Sequence, residues 1–345
     1  MSKGIEIPNL SRDYLHACQN GDLLKIKNLT LKYDVQDWTI FRHSVSGDTP
    51  MHVAAREGHL NVVEYLCDAF ERPDFKVNVV NKDMKRPLHE AAQFARTHVL
   101  RYLIEKGAFQ SEPCLNFLLS FLYIRIYLTK LISLIFDGAI VDCLKRADWT
   151  PLMLACTKIG SEACKCIRIL LEAKADPLRR NKDGWIPAFI ICRSGDVNAL
   201  RLFLDFAPES ISLRSNNGRS SLHIAAFNGH EEIIDLLLAV DPGLVNARDS
   251  SGATPLHEAI KGGNLNVVKR MIQFGADFRA TDKVGQTILH VASLIGSVEM
   301  MEYILTNNLI NVHEKAFFDV TPLIAARRSK QTDAIDVLIK YGAEK

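Results

Sequence analysis

The sequence predicts an all-α repeat solenoid, made of helix–turn–helix units joined by β-hairpin-like loops. A segment of the type TPLHEAIKGGNLNVVKRMI recurs along the chain, with copies that begin at Thr49, Arg86, Thr150, Ile186, Ser220, Thr254, Thr287 and Thr321. The successive starts are 37, 64, 36, 34, 34, 33 and 34 residues apart. A degenerate copy near Leu15 precedes them, so the array spans residues 10–345 and contains eight or nine units.

Each residue type in the repeated segment has a physical role. The threonine is a helix N-cap, and the proline that follows it occupies a position where a missing N–H is harmless. The alanine pair lets neighbouring helices approach closely, and a glycine with positive φ ends the short first helix. These glycines are Gly58, Gly195, Gly229, Gly263 and Gly296. The pattern resembles the ankyrin repeat, which implies a protein-binding array.

Composition limits the class of protein. The formal charge of +2 argues against a role that depends on binding nucleic acid over the whole surface, so no direct nucleic-acid partner is expected. The eight cysteines form no regular framework, and the N-terminal residues lack the apolar core of a signal peptide. We therefore expect a monomer with reduced thiols in the cytoplasm, with the nucleus as a further location.

One repeat spacing is too long, and the surplus contains the longest apolar run of the chain. Residues 115–136 include 14 Leu, Ile or Phe residues, together with Arg125 and Lys130. Removing the 31 residues 109–139 restores a spacing of 33. The segment is interpreted as a retained intron or gene-model error. A looped-out helix and a membrane anchor are the alternatives, although a span would separate repeats that need to pack together.

A more specific resemblance lies around the insertion. The segments KRPLHEAA from Lys85, VDCLKRADWTPLMLACTK from Val141 and NKDGW from Asn181 are similar to the family of ankyrin repeat domain-containing protein 16. That family pattern continues for one more repeat, so by this comparison the chain stops early. The resemblance implies a non-catalytic co-regulator of alanyl-tRNA synthetase, which limits the mischarging of alanine tRNA with serine and so supports translational fidelity.

The same resemblance implies lysine side chains that accept misactivated serine. Of the positions carried over, only Lys182 is a lysine. The second position falls on Arg146, with Lys145 adjacent, and the third falls near Ser212. Lys182 is therefore the one serine-acceptor candidate. The resemblance implies the same partner more strongly than it implies the serine-capture chemistry.

Basic and aromatic residues are frequent near the predicted hairpin tips of the N-terminal half. This basic stripe comprises Lys82, Lys85, Arg86, Lys145, Arg146, Trp149, Arg179, Arg180, Lys182 and Trp185. Trp and Arg are favoured interface anchors, so we predict partner binding at Lys145, Arg146, Trp149, Arg180, Lys182 and Trp185. The alternative is that the tips are solvated and the tryptophans cover the base of their hairpins.

Catalytic and metal-binding patterns are weak. The histidines of the TPLH segments recur once per repeat, so they are predicted to make structural hydrogen bonds rather than to form a metal site or a general base. They are His52, His89, His223, His257 and His290. Cys164 and Cys166 lack a second ligand pair at suitable spacing. We expect no enzyme activity, no catalytic residue, no cofactor and no metal.

Overall fold

The computed structural model describes residues 7–70, 77–109 and 141–344. The chain divides into two compact units, Met1–Lys182 and Asp183–Lys345. Each unit is a stack of antiparallel helix pairs, in agreement with the predicted all-α repeat solenoid. The 109–139 insertion lies outside the described residues except for Phe109, which ends a helix.

The described part of the first unit contains four helix pairs. They are α1 (Ile7–Gln19) with α2 (Leu23–Lys32), α3 (Pro50–Glu57) with α4 (Leu60–Asp68), α5 (Pro87–Gln93) with α6 (Thr97–Phe109), and α7 (Pro151–Ala155) with α8 (Ser161–Glu172). First helices pack against first helices, from α1 through α3 and α5 to α7, and the second helices α4, α6 and α8 pack in a parallel row. Short 3-10 turns lie at Trp38–Ile40 and Arg146–Asp148.

The second unit contains five pairs built in the same way. They are α9 (Pro187–Ser194) with α10 (Val197–Phe206), α11 (Ser221–Asn228) with α12 (Glu231–Val240), α13 (Pro255–Lys261) with α14 (Leu265–Gln273), α15 (Ile288–Ile295) with α16 (Val298–Thr306), and α17 (Pro322–Arg328) with α18 (Thr332–Lys340). Its 3-10 turns are Pro208–Ser212, Pro242–Asn246 and Phe317–Asp319.

Small side chains at the helix contacts explain the close stacking. Ala54 and Ala55 of α3 and Ala91 and Ala92 of α5 are completely buried. Because an alanine contributes only a methyl group, two helix backbones can approach closely at these positions. Larger aliphatic side chains on the second helices fill the remaining core, for example Leu66 of α4.

The predicted helix ends are confirmed. Gly58, Gly195, Gly229 and Gly296 are the C-cap residues of their helices, and Gly263 follows the last residue of α13 by two positions. All five have φ between +74° and +89°. This left-handed conformation is the one that glycine adopts without a steric cost.

The TPLH histidines make structural hydrogen bonds, as predicted. His52 Nδ1 lies 2.8 Å from the Thr49 hydroxyl, and its Nε2 lies 2.9 Å from the Lys85 carbonyl of the next repeat. A carbonyl can only accept, so the proton resides on Nε2 and Nδ1 accepts from the hydroxyl. The imidazole therefore connects a helix start to the following hairpin.

Candidate functional site

Successive hairpin tips of the first unit are joined through their backbones. The N–H of Lys82 donates to the Ser46 carbonyl at 3.1 Å, that of Arg146 to Asp83 at 3.0 Å, and that of Lys182 to Ala147 at 3.2 Å. Lys82, Arg146 and Lys182 thus occupy the same position in three consecutive hairpins, and we call them the hairpin-tip row. All three side chains are exposed.

The hairpin-tip row is solvated and only partly neutralised. Arg146 lies 3.3 Å from the Asp83 carboxylate, with 69% and 55% of the two side chains exposed. The Lys82 ammonium donates to the Ser44 carbonyl at 2.7 Å. Exposed ion pairs of this kind contribute little to stability. The Lys82 and Arg146 side chains therefore present positive charge at the surface.

A second group of cations surrounds a buried carboxylate at the start of α5. The Glu90 side chain is 0% exposed, and it accepts from Arg56 Nε at 2.9 Å and from Lys85 Nζ at 3.2 Å. Lys85 Nζ also donates to Gln93 Oε1 at 2.8 Å. A buried carboxylate is tolerated only when it is paired in this way, so the cations are fixed in place by the fold.

Arg56 is held from its other side by Asp48. Its Nη2 donates to Asp48 Oδ2 at 2.6 Å, and Asn81 Nδ2 donates to the other oxygen of the same carboxylate at 2.6 Å. Burial alone would raise the pKa of Asp48. The hydrogen bonds from Asn81 and Arg56 outweigh that effect and hold the pKa at about 2. Asp48 is therefore a carboxylate at neutral pH, and the geometry of Arg56 is set by two buried anions.

Two aromatic rings lie against these cations. The Phe94 ring centroid is 5.9 Å from the Arg56 guanidinium and 5.5 Å from the Lys158 ammonium. The Trp149 ring centroid is 5.5 Å from Lys145 Nζ. These distances are within the range of cation–π attraction. We define the cation–aromatic patch as Arg56, Lys85, Phe94, Lys145, Trp149 and Lys158.

Lys145 connects the two halves of the cation–aromatic patch. It is half-buried, and burial together with the nearby Lys85 ammonium lowers its pKa, against the opposing charges of Asp83 and Glu90. Burial is the larger of the two causes, and the like charge of Lys85 adds to it. An anion bound beside Lys145 would favour its charged form.

The structure distributes the residues of the predicted binding site over different places. Lys145 and Trp149 belong to the cation–aromatic patch, whereas Arg146 and Lys182 belong to the hairpin-tip row. Arg180 is an exposed side chain of the same unit. Their role in binding stays a prediction.

Trp185 belongs to the second unit and packs within its own repeat. Its ring contacts Phe189 edge-on, with centroids 6.4 Å apart and an interplanar angle of 87°. Phe189 is completely buried, so Trp185 covers the base of its own hairpin.

Sequence reasoning missed Arg56, Phe94 and Lys158, which complete the patch. All three lie seven or eight residues after the first position of their repeats, where the first helix ends. Aligning the repeats by their TPLH segments would have placed the three side chains beside one another.

The described residues offer no metal site. Cys156 and Cys166 are buried, and Cys164 is half-buried. Within residues 7–70, 77–109 and 141–344, no group of three His, Cys, Asp or Glu side chains is arranged to hold a metal ion. Burial raises the pKa of Cys166 to about 12, so this thiol stays protonated at neutral pH.

No helix in the described part of the chain is both long and apolar enough to span a bilayer. The apolar run at 115–136 lies outside that part. The membrane-anchor hypothesis for this run therefore stays a prediction.

The stacked helix pairs and their hairpins define a helical-repeat protein. A family model described as "Ankyrin repeats (3 copies)" matches residues 15–114, 152–246, 191–282, 239–316 and 256–345. These ranges cover most of the chain, which therefore belongs to the ankyrin-repeat family.

Several characterised proteins are similar to this chain. Human transient receptor potential cation channel subfamily A member 1 is 27% identical over 308 residues, covering 86% of this chain and 24% of the channel. The mouse B-cell lymphoma 3 protein homolog is 26% identical over 198 residues, covering 56% and 43% of the two chains. Palmitoyltransferase AKR1 of Lachancea kluyveri is 29% identical over 192 residues, covering 52% and 24%. This chain therefore spans less than half the length of each of these relatives.

Proposed function

We propose that this chain is a non-catalytic scaffold that binds another protein through the first unit. The observation that carries the proposal is the cation–aromatic patch, in which fixed cations and partly exposed rings lie over two buried carboxylates. Interfaces of this type use arginine and aromatic anchors. One relative is an enzyme by name, but its similarity to this chain covers only 24% of its length.

The proposed partner is alanyl-tRNA synthetase, and its support is the resemblance to ankyrin repeat domain-containing protein 16. The chain would bind the synthetase in the cytoplasm, or also in the nucleus, and limit the charging of serine onto alanine tRNA. A general adaptor for an unrelated protein is the alternative, and it uses the same patch.

Lys182 is the proposed serine acceptor. Its amine nitrogen would attack the carbonyl carbon of seryl adenylate, the bond to the phosphate oxygen would break, and AMP would leave as the amine loses a proton. The exposed position of Lys182 on a hairpin tip makes it accessible to a bound partner.

The proposal is tested by measuring the binding of purified alanyl-tRNA synthetase to the full chain and to a variant that lacks residues 109–139. We expect both to bind with similar affinity, because the patch residues are all outside the deletion. If neither folded form binds, the synthetase is not the partner and the general adaptor function remains.

The same mixture, supplied with ATP and serine, tests the acceptor role by intact-mass analysis. We expect a seryl adduct on the chain and none on K182R, which keeps the positive charge but removes the primary amine. An unmodified chain, under conditions where the synthetase forms seryl adenylate, would restrict the function to binding.

A further inference from the structure

We infer that the cation–aromatic patch binds an acidic segment of a partner protein in which an apolar side chain lies beside the carboxylates. This inference rests on the proposed scaffold function, and it specifies the chemistry of what the scaffold binds. It does not depend on which protein supplies the segment.

The charges of the cation–aromatic patch form a buried layer and a surface layer. The two carboxylates of the network lie underneath, with Asp48 5% and Glu90 0% exposed. The cations above them reach the surface, since Arg56 is 29% and Lys85 18% exposed, and Lys158 is exposed three residues after the end of α7. A partner therefore meets positive charge, although the network below is largely neutralised. Complementary potential attracts an acidic surface and fixes its register.

Apolar surface lies between the cations of the patch. The Phe94 side chain is 37% exposed, and its ring is held between Arg56 and Lys158. Trp149 is half-buried and lies against Lys145. A segment that carries only acids would leave these rings hydrated, whereas an apolar side chain beside the acids would cover them. Both rings already lie against cations without a partner, an arrangement that reduces the entropic cost of association.

The second unit contains an internal comparison. Glu258 stands at the same repeat position as Glu90, is completely buried, and accepts from Arg219 at 2.6 Å and Lys261 at 2.7 Å. In the described residues of that unit, no aromatic ring lies over Arg219 or Lys261 at cation–π distance. The second unit therefore has a buried carboxylate network without such rings, and the rings are what the first unit adds.

A nucleic acid fits these features less well. Phosphate backbones are bound by many cations that are free to pair with them, whereas Arg56 and Lys85 already donate to carboxylates. The formal charge of the whole chain is also only +2. A protein segment with a few acids needs fewer free donors, so the geometry favours a protein.

The test is the selection of peptides from a random library displayed on phage, with the full chain as the target. We expect enriched peptides to combine Asp or Glu with an aromatic or aliphatic residue. Their affinity is expected to fall roughly tenfold for K158E and for F94A, the loss typical of an interface anchor. K283E changes the charge equally at an exposed site of the second unit, and it is expected to bind the peptides like the parent chain.

Several results would overturn the inference: no enriched sequence, enriched peptides without acids, or equal binding by K158E and K283E. Tight binding of an RNA oligonucleotide that is lost in K158E and F94A would assign the patch to nucleic acid instead. If the peptides bind but alanyl-tRNA synthetase does not, the inference stands and the named partner is wrong. If the synthetase binds and both the synthetase and the peptides bind K158E as tightly as the parent chain, the scaffold function stands and the inference falls.

Discussion

At the scale of single residues, the TPLH histidines show how a residue type with catalytic potential serves the fold. Desolvation by burial lowers the pKa of all five, to about 3 for His89 and about 4 for His223. The neutral imidazole can donate from Nε2 and accept at Nδ1, which is the arrangement that each repeat needs. Protonation would force Nδ1 to donate as well.

Stability is therefore expected to depend on pH in a window set by these histidines. A histidine with a folded pKa of about 4 and an unfolded pKa of about 6.5 binds more protons when unfolded, between these two values. Stability is fully present above about pH 6.5 and decreases by up to about 1.4 kcal/mol per histidine for each pH unit below it. We expect the midpoint temperature of thermal unfolding to decrease as the pH is lowered from 7 to 5.

The variant H223Q separates this effect from general acid sensitivity. It removes one titrating group from the window, so the difference in thermal midpoint between the parent and H223Q should narrow as the pH falls from 7 to 5. A difference that stays constant over this range would contradict the assignment of the proton uptake to His223.

The repeat that begins at Arg86 departs from the TPLH motif at its first residue. Arg86 replaces the threonine, and His89 Nδ1 accepts from the Arg86 N–H at 3.0 Å, with Cys143 Sγ at 3.7 Å. Nε2 still bonds the next hairpin, at the Trp149 carbonyl, 3.3 Å away. The connection between repeats is thus kept although the hydroxyl is lost.

At the scale of helices and turns, the glycines that follow several first helices have two separate roles. Gly263 has φ +75°, and a Cβ placed there would have no heavy atom within 4 Å. Gly195 has φ +88°, and a Cβ would lie 2.5 Å from the ring of His230, which bonds the Arg193 carbonyl. Position 263 therefore requires only a residue that adopts the left-handed conformation. Position 195 also requires the absence of a Cβ, which would collide with His230.

We expect G263A to lower the free energy of unfolding by about 1–2 kcal/mol, the usual cost of the left-handed conformation for a residue with a Cβ. G195A should cost more, because it also displaces His230 and breaks its hydrogen bond. Urea denaturation of the two variants checks this order. An equal loss, or a larger loss for G263A, would contradict the assigned contacts.

Much of the fold at this scale could be predicted from the sequence, because the signals are local. The threonine, proline and glycine positions predicted the first helices and their ends within a residue or two. The pairing of Glu90 with Arg56 could not be predicted in this way. It joins residues 34 positions apart in the chain and depends on the side-chain directions of two packed helices.

The candidate site was predictable only in part for the same reason. Lys145 and Trp149 are recognisable because they stand at a hairpin, where exposure is expected. Phe94 and Lys158 stand at the ends of different helices, and only the stacking of α5 on α7 brings them to 5.5 Å. A single apolar or charged residue at a helix end does not by itself indicate which side chain of another helix it will contact.

At the scale of the molecule, the two units share one architecture but present different hairpin tips. The position that holds Lys82, Arg146 and Lys182 in the first unit is occupied by Asn216, Ser250, Lys283 and Phe317 in the second. The backbone bond that defines this position is the same throughout each unit, so the difference lies in the side chains alone. This difference supports the proposal that acidic partners bind to the first unit.

The most direct test of this account uses Lys182 and Lys283, which occupy the same hairpin position in different units. The affinity of purified alanyl-tRNA synthetase would be measured by calorimetry for the parent chain, K182E, K158E and K283E. We predict that K182E and K158E bind roughly tenfold more weakly, as expected for lost electrostatic complementarity, and that K283E binds like the parent. Equal affinities for all four proteins, or an equal loss in K283E, would contradict the claim that the chain binds its partner through the first unit.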